Sequence, residues 1–200
     1  MTQNVILAPG LWMPGAAMLL LAARLEQRGY GVRVFSYSGR RAYDANVEAL
    51  ARFAREPAAF VGHSLGGVLV LDMLNRHAEL EPSSVVLLGA PVRGCLAGRR
   101  FGAAQPGRWM MGASRQVWEE RPARWARGAP LGVVAGTLPM GLGRAFGSLP
   151  GLNDGVVRVE ETTVDGMTER ALVPRGHSML VVSTRVSGLV ERFLASGRFA

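Results

Sequence analysis

The sequence predicts an α/β fold, a mostly parallel central sheet flanked by helices. Short continuous apolar runs closed by Gly, Pro or Ser read as strands, and longer segments between them carry apolar residues at helical spacing. Regular alternation of the two argues for a parallel sheet with helices on both faces. Two hundred residues, 48% hydrophobic with a mean hydropathy of +0.16, suit one domain with one core and are too few for two full enzyme domains.

In order, Val5–Ala8 reads as a strand, Ala16–Arg28 as a helix, Val32–Ser36 as a strand and Ala45–Arg55 as a helix. Ala58–Gly62 and Val85–Gly89 are further strands, with the helix Leu65–Arg76 between them. The pattern breaks after Pro91. From Arg93 to Gly128 there are eight arginines, two acids and three of the four tryptophans, a net +6 of the chain's +8, as expected of an insertion on the sheet. Leu131–Ala135 resumes the strands, a Gly/Pro-rich loop covers Gly136 to Gly155, and Val156–Val159 and Ala171–Val173 are the last strand candidates. Ser178 to Leu194 reads as a closing helix, and no internal repeat is evident.

Composition excludes several chemistries. One cysteine and three histidines rule out a structural zinc site, an iron–sulfur cluster or a disulfide framework. All 23 basic residues are arginine, which excludes a Walker A phosphate loop, a Schiff-base lysine and a Ser–Lys dyad. No cofactor is implied. Met1-Thr2-Gln3-Asn4 runs straight into an apolar strand without the layout of a signal peptide, and the longest apolar stretch, Ala16 to Ala23, is too short to span a bilayer. The expected location is the cytoplasm, with Cys95 reduced.

The chemistry centres on Gly62-His63-Ser64-Leu65-Gly66-Gly67, a G-x-S-x-G pattern. Alone it is weak, but here it follows an apolar strand and opens a helix, the setting in which a sharp turn exposes a serine hydroxyl. A serine needs a base. His63 adjoins Ser64 in the turn, so its side chain should diverge, and His77 lies thirteen residues down the next helix, about 20 Å away at 1.5 Å per residue. His177 remains, in the loop Pro174-Arg175-Gly176-His177. The orienting acid falls between Ser64 and His177, where Asp154, Asp165, Glu160, Glu161 and Glu169 are candidates. Asp154 sits in a turn-rich loop and is preferred, because Asp165-Gly166 is explained as a hairpin turn by backbone conformation alone. Two backbone N–H groups are needed for an oxyanion: Leu65, after the nucleophile, and Leu11 from the Pro9-Gly10-Leu11-Trp12 loop, with Trp12 the second choice.

These residues resemble the α/β-hydrolase superfamily, and within it the small bacterial lipase/esterase-like members, over nearly the whole chain. Ala8-Pro9-Gly10-Leu11-Trp12 resembles the oxyanion segment that usually reads His-Gly-x-x, Gly62 to Gly67 the elbow, and Leu87 to Gly94 the Gly-Thr-Pro-x-x-Gly segment. Asn153-Asp154-Gly155-Val156-Val157 resembles the lipase acid loop, and His177 falls where the family's histidine belongs. Pro9 replaces a histidine that often braces the oxyanion loop, and Ala90 replaces a threonine.

The resemblance implies an α/β-hydrolase fold with a small Arg/Trp-rich cap at about 93–128. Trp12, Trp109, Met110 and Met111, with Trp118 and Trp125, would suit a pocket for an acyl chain, or the tryptophans would be cap core. The arginines could face an acidic substrate or make weak contact with an anionic membrane surface, or be a solvated face; nucleic acid is not expected, since no recognition module is present. The expected function is cleavage of a small, apolar carboxylic ester through Ser64, His177 and Asp154 and an acyl-enzyme. Thioester hydrolysis or acyl transfer on the same machinery remains open, as does a non-catalytic binding protein of this fold.

Overall fold

The computed structural model describes residues 3–13, 15–54, 56–103, 105, 107, 117–140 and 147–200. Among these residues six strands form one sheet: β1 (Asn4–Ala8), β2 (Gly31–Val34), β3 (Ala59–His63), β4 (Val85–Leu88), β5 (Leu131–Gly136) and β6 (Glu169–Val173). Their order is β2-β1-β3-β4-β5-β6, and every neighbouring pair is parallel. Among the described residues the α-helices are α1 (Leu19–Glu26), α2 (Tyr43–Phe53), α3 (Leu65–Arg76), α4 (Leu96–Ala103) and α5 (Thr184–Ser196).

Strand side chains alternate between faces, and both faces of the central strands are covered, which is why β3, β4 and β5 are buried along their length, while the edge strands β2 and β6 carry Arg33, Glu169 and Arg170. Ile6, Ala8, Phe60, Val85 and Leu87 face Val47, Leu50 and Leu69 of α2 and α3. Val5, Leu7, Val61, Val86 and Leu88 face Leu21 and Leu25 of α1 and Val190 and Phe193 of α5. The chain winds outward from β1 to β2, then crosses back to β3 and continues the other way. That reversal leaves a crevice beyond the carboxyl ends of β1 and β3, the place where open α/β sheets bind ligands. Ala8 is in register with Gly62 and His63 with Leu88, so the residues after β1, β3 and β4 emerge side by side.

Several expectations need correction. Val156–Val159 is not a strand: its amides turn inward onto a carboxylate, and Val159–Thr162 is a short 3-10 turn. The closing helix begins only at Thr184, where the Ser183 hydroxyl caps it by accepting from Val186 N. His177–Met179 forms a separate 3-10 turn. Asp165-Gly166 makes a turn, with Gly166 at φ +89°, but no hairpin, because β6 pairs parallel with β5. Of the two readings open for Trp118 and Trp125, pocket lining or core, their surroundings are those of core. Both are buried, with Val117 and Ala123, in the core on the α2/α3 side, and Trp125 Nε1 donates to Ala129 O at 2.7 Å.

Among the described arginines of the 93–128 segment, most guanidinium contacts are internal. Arg93 binds Asp165 and Thr163 O, Arg99 binds Glu120, and Arg121 binds Asp72 and Val92 O. Arg127 donates to Leu80 O and His77 O.

Candidate active site

Close backbone approach builds the turn between β3 and α3. A methyl at Gly66 would lie 2.2 Å from Ala8 O, and one at Gly62 would lie 2.4 Å from Gly67 Cα, so neither position accepts a side chain. Ser64, between them, adopts φ +52° and ψ −126°, a region costly for a non-glycine residue by about 1–3 kcal/mol. Its backbone is held there on both sides: Ser64 N donates to Leu88 O, and Ser64 O accepts from Gly67 N and Val68 N. The result is a serine hydroxyl standing at the N-terminus of a twelve-residue helix, whose dipole favours negative charge nearby.

His177 arrives from the loop after β6. Its Nε2 accepts from the Ser64 hydroxyl at 2.9 Å, and its Nδ1–H donates to Asp154 Oδ2 at 2.7 Å. Asp154 is 1% exposed, and its other oxygen accepts from Val156 N at 3.0 Å and Val157 N at 2.7 Å. The two loops are also tied through their backbones, His177 N donating to Asp154 O at 2.9 Å. Each bond fixes the next: the two amides orient the carboxylate, the carboxylate sets the imidazole tautomer, and that tautomer leaves Nε2 free to accept a proton.

The competing candidates are engaged elsewhere. Asp165 pairs with Arg93, Glu160 and Glu161 with Arg158, and Glu169 accepts from Phe199 N. His77 lies between Glu48 and Glu79. His63 does diverge from Ser64. It is 1% exposed, its Nε2–H donates to His177 O at 3.1 Å, and burial holds its pKa down to about 3, so it stays neutral. Among the described residues its Nδ1 has no hydrogen-bond partner.

The loop after β1 closes the near side. A methyl at Gly10 would lie 3.0 Å from Ser64 Cβ, so the backbone leading into Leu11 presses on the serine. Met13 N donates to Gly10 O at 3.2 Å across a turn in which Trp12 has φ +59°. Leu65, the other expected donor, is the first residue of α3. Trp12 is 58% exposed and meets Phe101 of α4 edge-on at 5.7 Å. Trp109, Met110 and Met111 lie outside the described residues. Sequence reasoning gave no role to Tyr37, whose hydroxyl donates to Pro9 O at 3.0 Å, because that contact joins residues 28 apart with no local pattern. Among the described residues no group of three His, Cys, Asp or Glu side chains could hold a metal ion.

Residues 5–192 match the alpha/beta hydrolase family. The chain belongs to that family. Solved structures of similar fold include the mature lipase BlEst2 of Bacillus licheniformis (TM-score 0.71, 13% identity, 98% of this chain and 92% of that one). A pyrethroid hydrolase from Sphingobium faniae matches at TM-score 0.62 and 15% identity, over 98% of each chain. A carboxylesterase structure from the thaumarchaeon Nitrososphaera gargenis matches at TM-score 0.67 and 10% identity, over 98% of this chain and 91% of that one. No curated protein matches the sequence. At such identities these likenesses speak for the fold, so the chemistry of this α/β-hydrolase has to be argued from its own site.

Proposed function

We propose that this α/β-hydrolase is a serine hydrolase that cleaves carboxylic esters with an apolar acyl or alcohol group. The observation that carries the reading is the continuous hydrogen-bonded chain Asp154–His177–Ser64. Ser64 Oγ attacks the ester carbonyl while His177 Nε2 takes its proton, and Asp154 stabilises the imidazolium so formed. The oxyanion accepts from the backbone N–H groups of Leu65 and Leu11, each contributing about 3 kcal/mol in the transition state. His177 then protonates the departing alcohol, and water, activated by the same imidazole, releases the acid from the acyl-enzyme. The lipase, carboxylesterase and pyrethroid hydrolase of the same fold support an ester as substrate.

Apolar specificity is supported by the surroundings of the site. Trp12, Leu138, Met140, Leu152 and Met179 are all large, apolar and exposed. Trp12 belongs to the oxyanion turn, Leu152 precedes Asp154 by two residues, and Met179 follows His177 by two. The Met140 backbone lies against Gly155 and Gly176. Isolated exposed apolar residues are ordinary, but these five sit on the loops that carry the oxyanion turn, Asp154 and His177 or pack against them. α4 borders this side of the site: its Phe101 meets Trp12, and Arg100 donates to Ser148 O in the loop before Asp154.

The test is intact mass after exposure to an alkyl fluorophosphonate. One adduct is expected on the wild type, none on Ser64→Ala, and a much slower one on His177→Ala. An unmodified wild type, or a modified Ser64→Ala, would overturn the reading. A panel of p-nitrophenyl esters and matching thioesters of increasing chain length then separates ester from thioester hydrolysis, and added alcohols reveal acyl transfer.

A further inference from the structure

Position 9, where the chain leaves β1, is proline, which has neither an N–H nor a polar side chain with which to brace the loop. From the other side, the segment following β2 reaches it at two points. The Tyr37 hydroxyl donates to Pro9 O at 3.0 Å, and Leu11 Cδ1 occupies the space over Gly39, where a methyl would lie 2.3 Å from it. Tyr37 is itself held. Its ring stacks on Phe35 with centroids 5.8 Å apart and planes 15° apart, and Phe35 packs against Phe53 of α2 at 5.4 Å. Phe35 is buried, and its N–H donates to Leu7 O on β1 at 2.8 Å.

A peptide group is planar, so fixing a carbonyl fixes the N–H on the other side of the same bond. Tyr37 fixes the Pro9–Gly10 peptide, and Met13 N fixes the next one, Gly10–Leu11, whose N–H is that of Leu11. The second bond belongs to a local turn and sets only its internal shape. The first ties the turn to the sheet and to α2. A transition-state donor works when it is already aimed before charge develops, so a loose turn forfeits most of its value. Burial raises the Tyr37 phenol above its ordinary pKa, which keeps it protonated and a donor around neutral pH.

We infer that Tyr37 is a positioning residue for oxyanion stabilisation, holding the Leu11 N–H toward Ser64 through the Pro9 carbonyl. The inference rests on the proposed role of Ser64 as nucleophile and says which part of the scaffold makes that site reactive.

The test compares second-order labelling rates with an alkyl fluorophosphonate and with its P=S analogue. In both reactions Ser64 Oγ bonds to phosphorus, the P–F bond breaks, and the serine proton passes through His177 and leaves with fluoride. Only the P=O reagent develops the charge on oxygen that the backbone donors are built to receive. Tyr37→Phe keeps the ring and deletes the hydroxyl. The P=O rate is expected to fall roughly tenfold and the P=S rate to change less than about twofold, so that the ratio falls. If the two rates fall equally, the hydroxyl only stabilises the fold. If neither falls, the Leu11 N–H is aimed without it. Either result overturns the inference. Ser64→Ala separates the two layers: labelling abolished there with an unchanged Tyr37→Phe ratio removes Tyr37 alone, while labelling retained removes the nucleophile and the inference with it. Gly39→Val and Gly39→Thr, whose side chains push on Leu11, are expected to lower the same ratio.

Discussion

His63 and His177 are joined at the back of the site: the His63 Nε2–H donates to the His177 carbonyl at 3.1 Å, and the two rings lie 4.8 Å apart. A histidine placed this way stabilises only while neutral. The unfolded chain takes a proton on His63 near pH 6.5, whereas the folded one resists until about 3, because burial, and then the neighbouring His177, disfavour the cation. Stability from this residue is therefore complete above pH 6.5 and is lost as pH falls toward 3, with a slope of up to about 1.4 kcal/mol per pH unit. His63→Gln retains a donor but does not titrate. Urea unfolding between pH 4 and 7 should show a shallower pH dependence for the variant than for the wild type; equal slopes would contradict this account.

Asp154→Asn should remove activity while leaving the fold. The Oδ1 position faces two backbone N–H groups, so the amide oxygen will take that place and its NH2 will face His177. His177 Nδ1 must then accept, which moves the ring proton to Nε2, where it opposes the Ser64 hydroxyl instead of receiving from it. A loss of about 10⁴ in kcat is expected from a wrong tautomer alone. Ester kinetics give the rate, and ring-nitrogen NMR of His177 shows which nitrogen carries the proton.

The parts of this site that are legible in sequence are those whose contacts are local or whose residue types are scarce. Gly62, Gly66 and Gly67 meet within one turn, so their spacing records their packing. His177 stood out because the chain has only three histidines. Asp154 could be preferred but not separated from Asp165 by pattern, since both are turn residues; what distinguishes them is that Asp165 pairs with Arg93, a partner 72 residues away. Val156–Val159 looked like a strand because apolar residues fill both strands and carboxylate-binding loops. For Trp118 and Trp125 pocket lining and core stayed open, because composition does not say which way a side chain points. Tyr37 and the His63–His177 bond span 28 and 114 residues, and nothing along the chain marks them.

Gly89→Ala tests how tightly the fold encloses the Asp154–His177 bond. Gly89 follows β4 at φ +53°, where an alanine costs about 1 kcal/mol by itself. Its methyl would also lie 2.8 Å from Leu180 Cδ1, 3.1 Å from Asp154 Oδ2 and 3.3 Å from His177 Nδ1. The variant should lose about 1–2 kcal/mol of stability. Its kcat should fall at least roughly tenfold as the pair is pushed out of line. Unchanged kcat in a destabilised protein would mean that Leu180 alone gives way.

The arginine excess makes its own prediction through Asp72. On α3, two turns beyond Ser64 and about 12 Å from it along the axis, Asp72 Oδ2 accepts from the Tyr43 hydroxyl at 2.6 Å and from Arg121 at 2.9 Å. Those bonds tie α2 and the segment after α4 to the helix that carries the nucleophile at its N-terminus. Asp72→Ala leaves a partly buried guanidinium and a tyrosine hydroxyl without their acceptor and should cost about 2 kcal/mol. Because Arg121 spends its charge on the scaffold, kcat and KM of the folded variant should match the wild type for neutral and anionic esters alike. Thermal unfolding and kinetics on both ester classes check this together. A KM that rises for the anionic ester alone, at full folding, would instead make Arg121 a substrate contact.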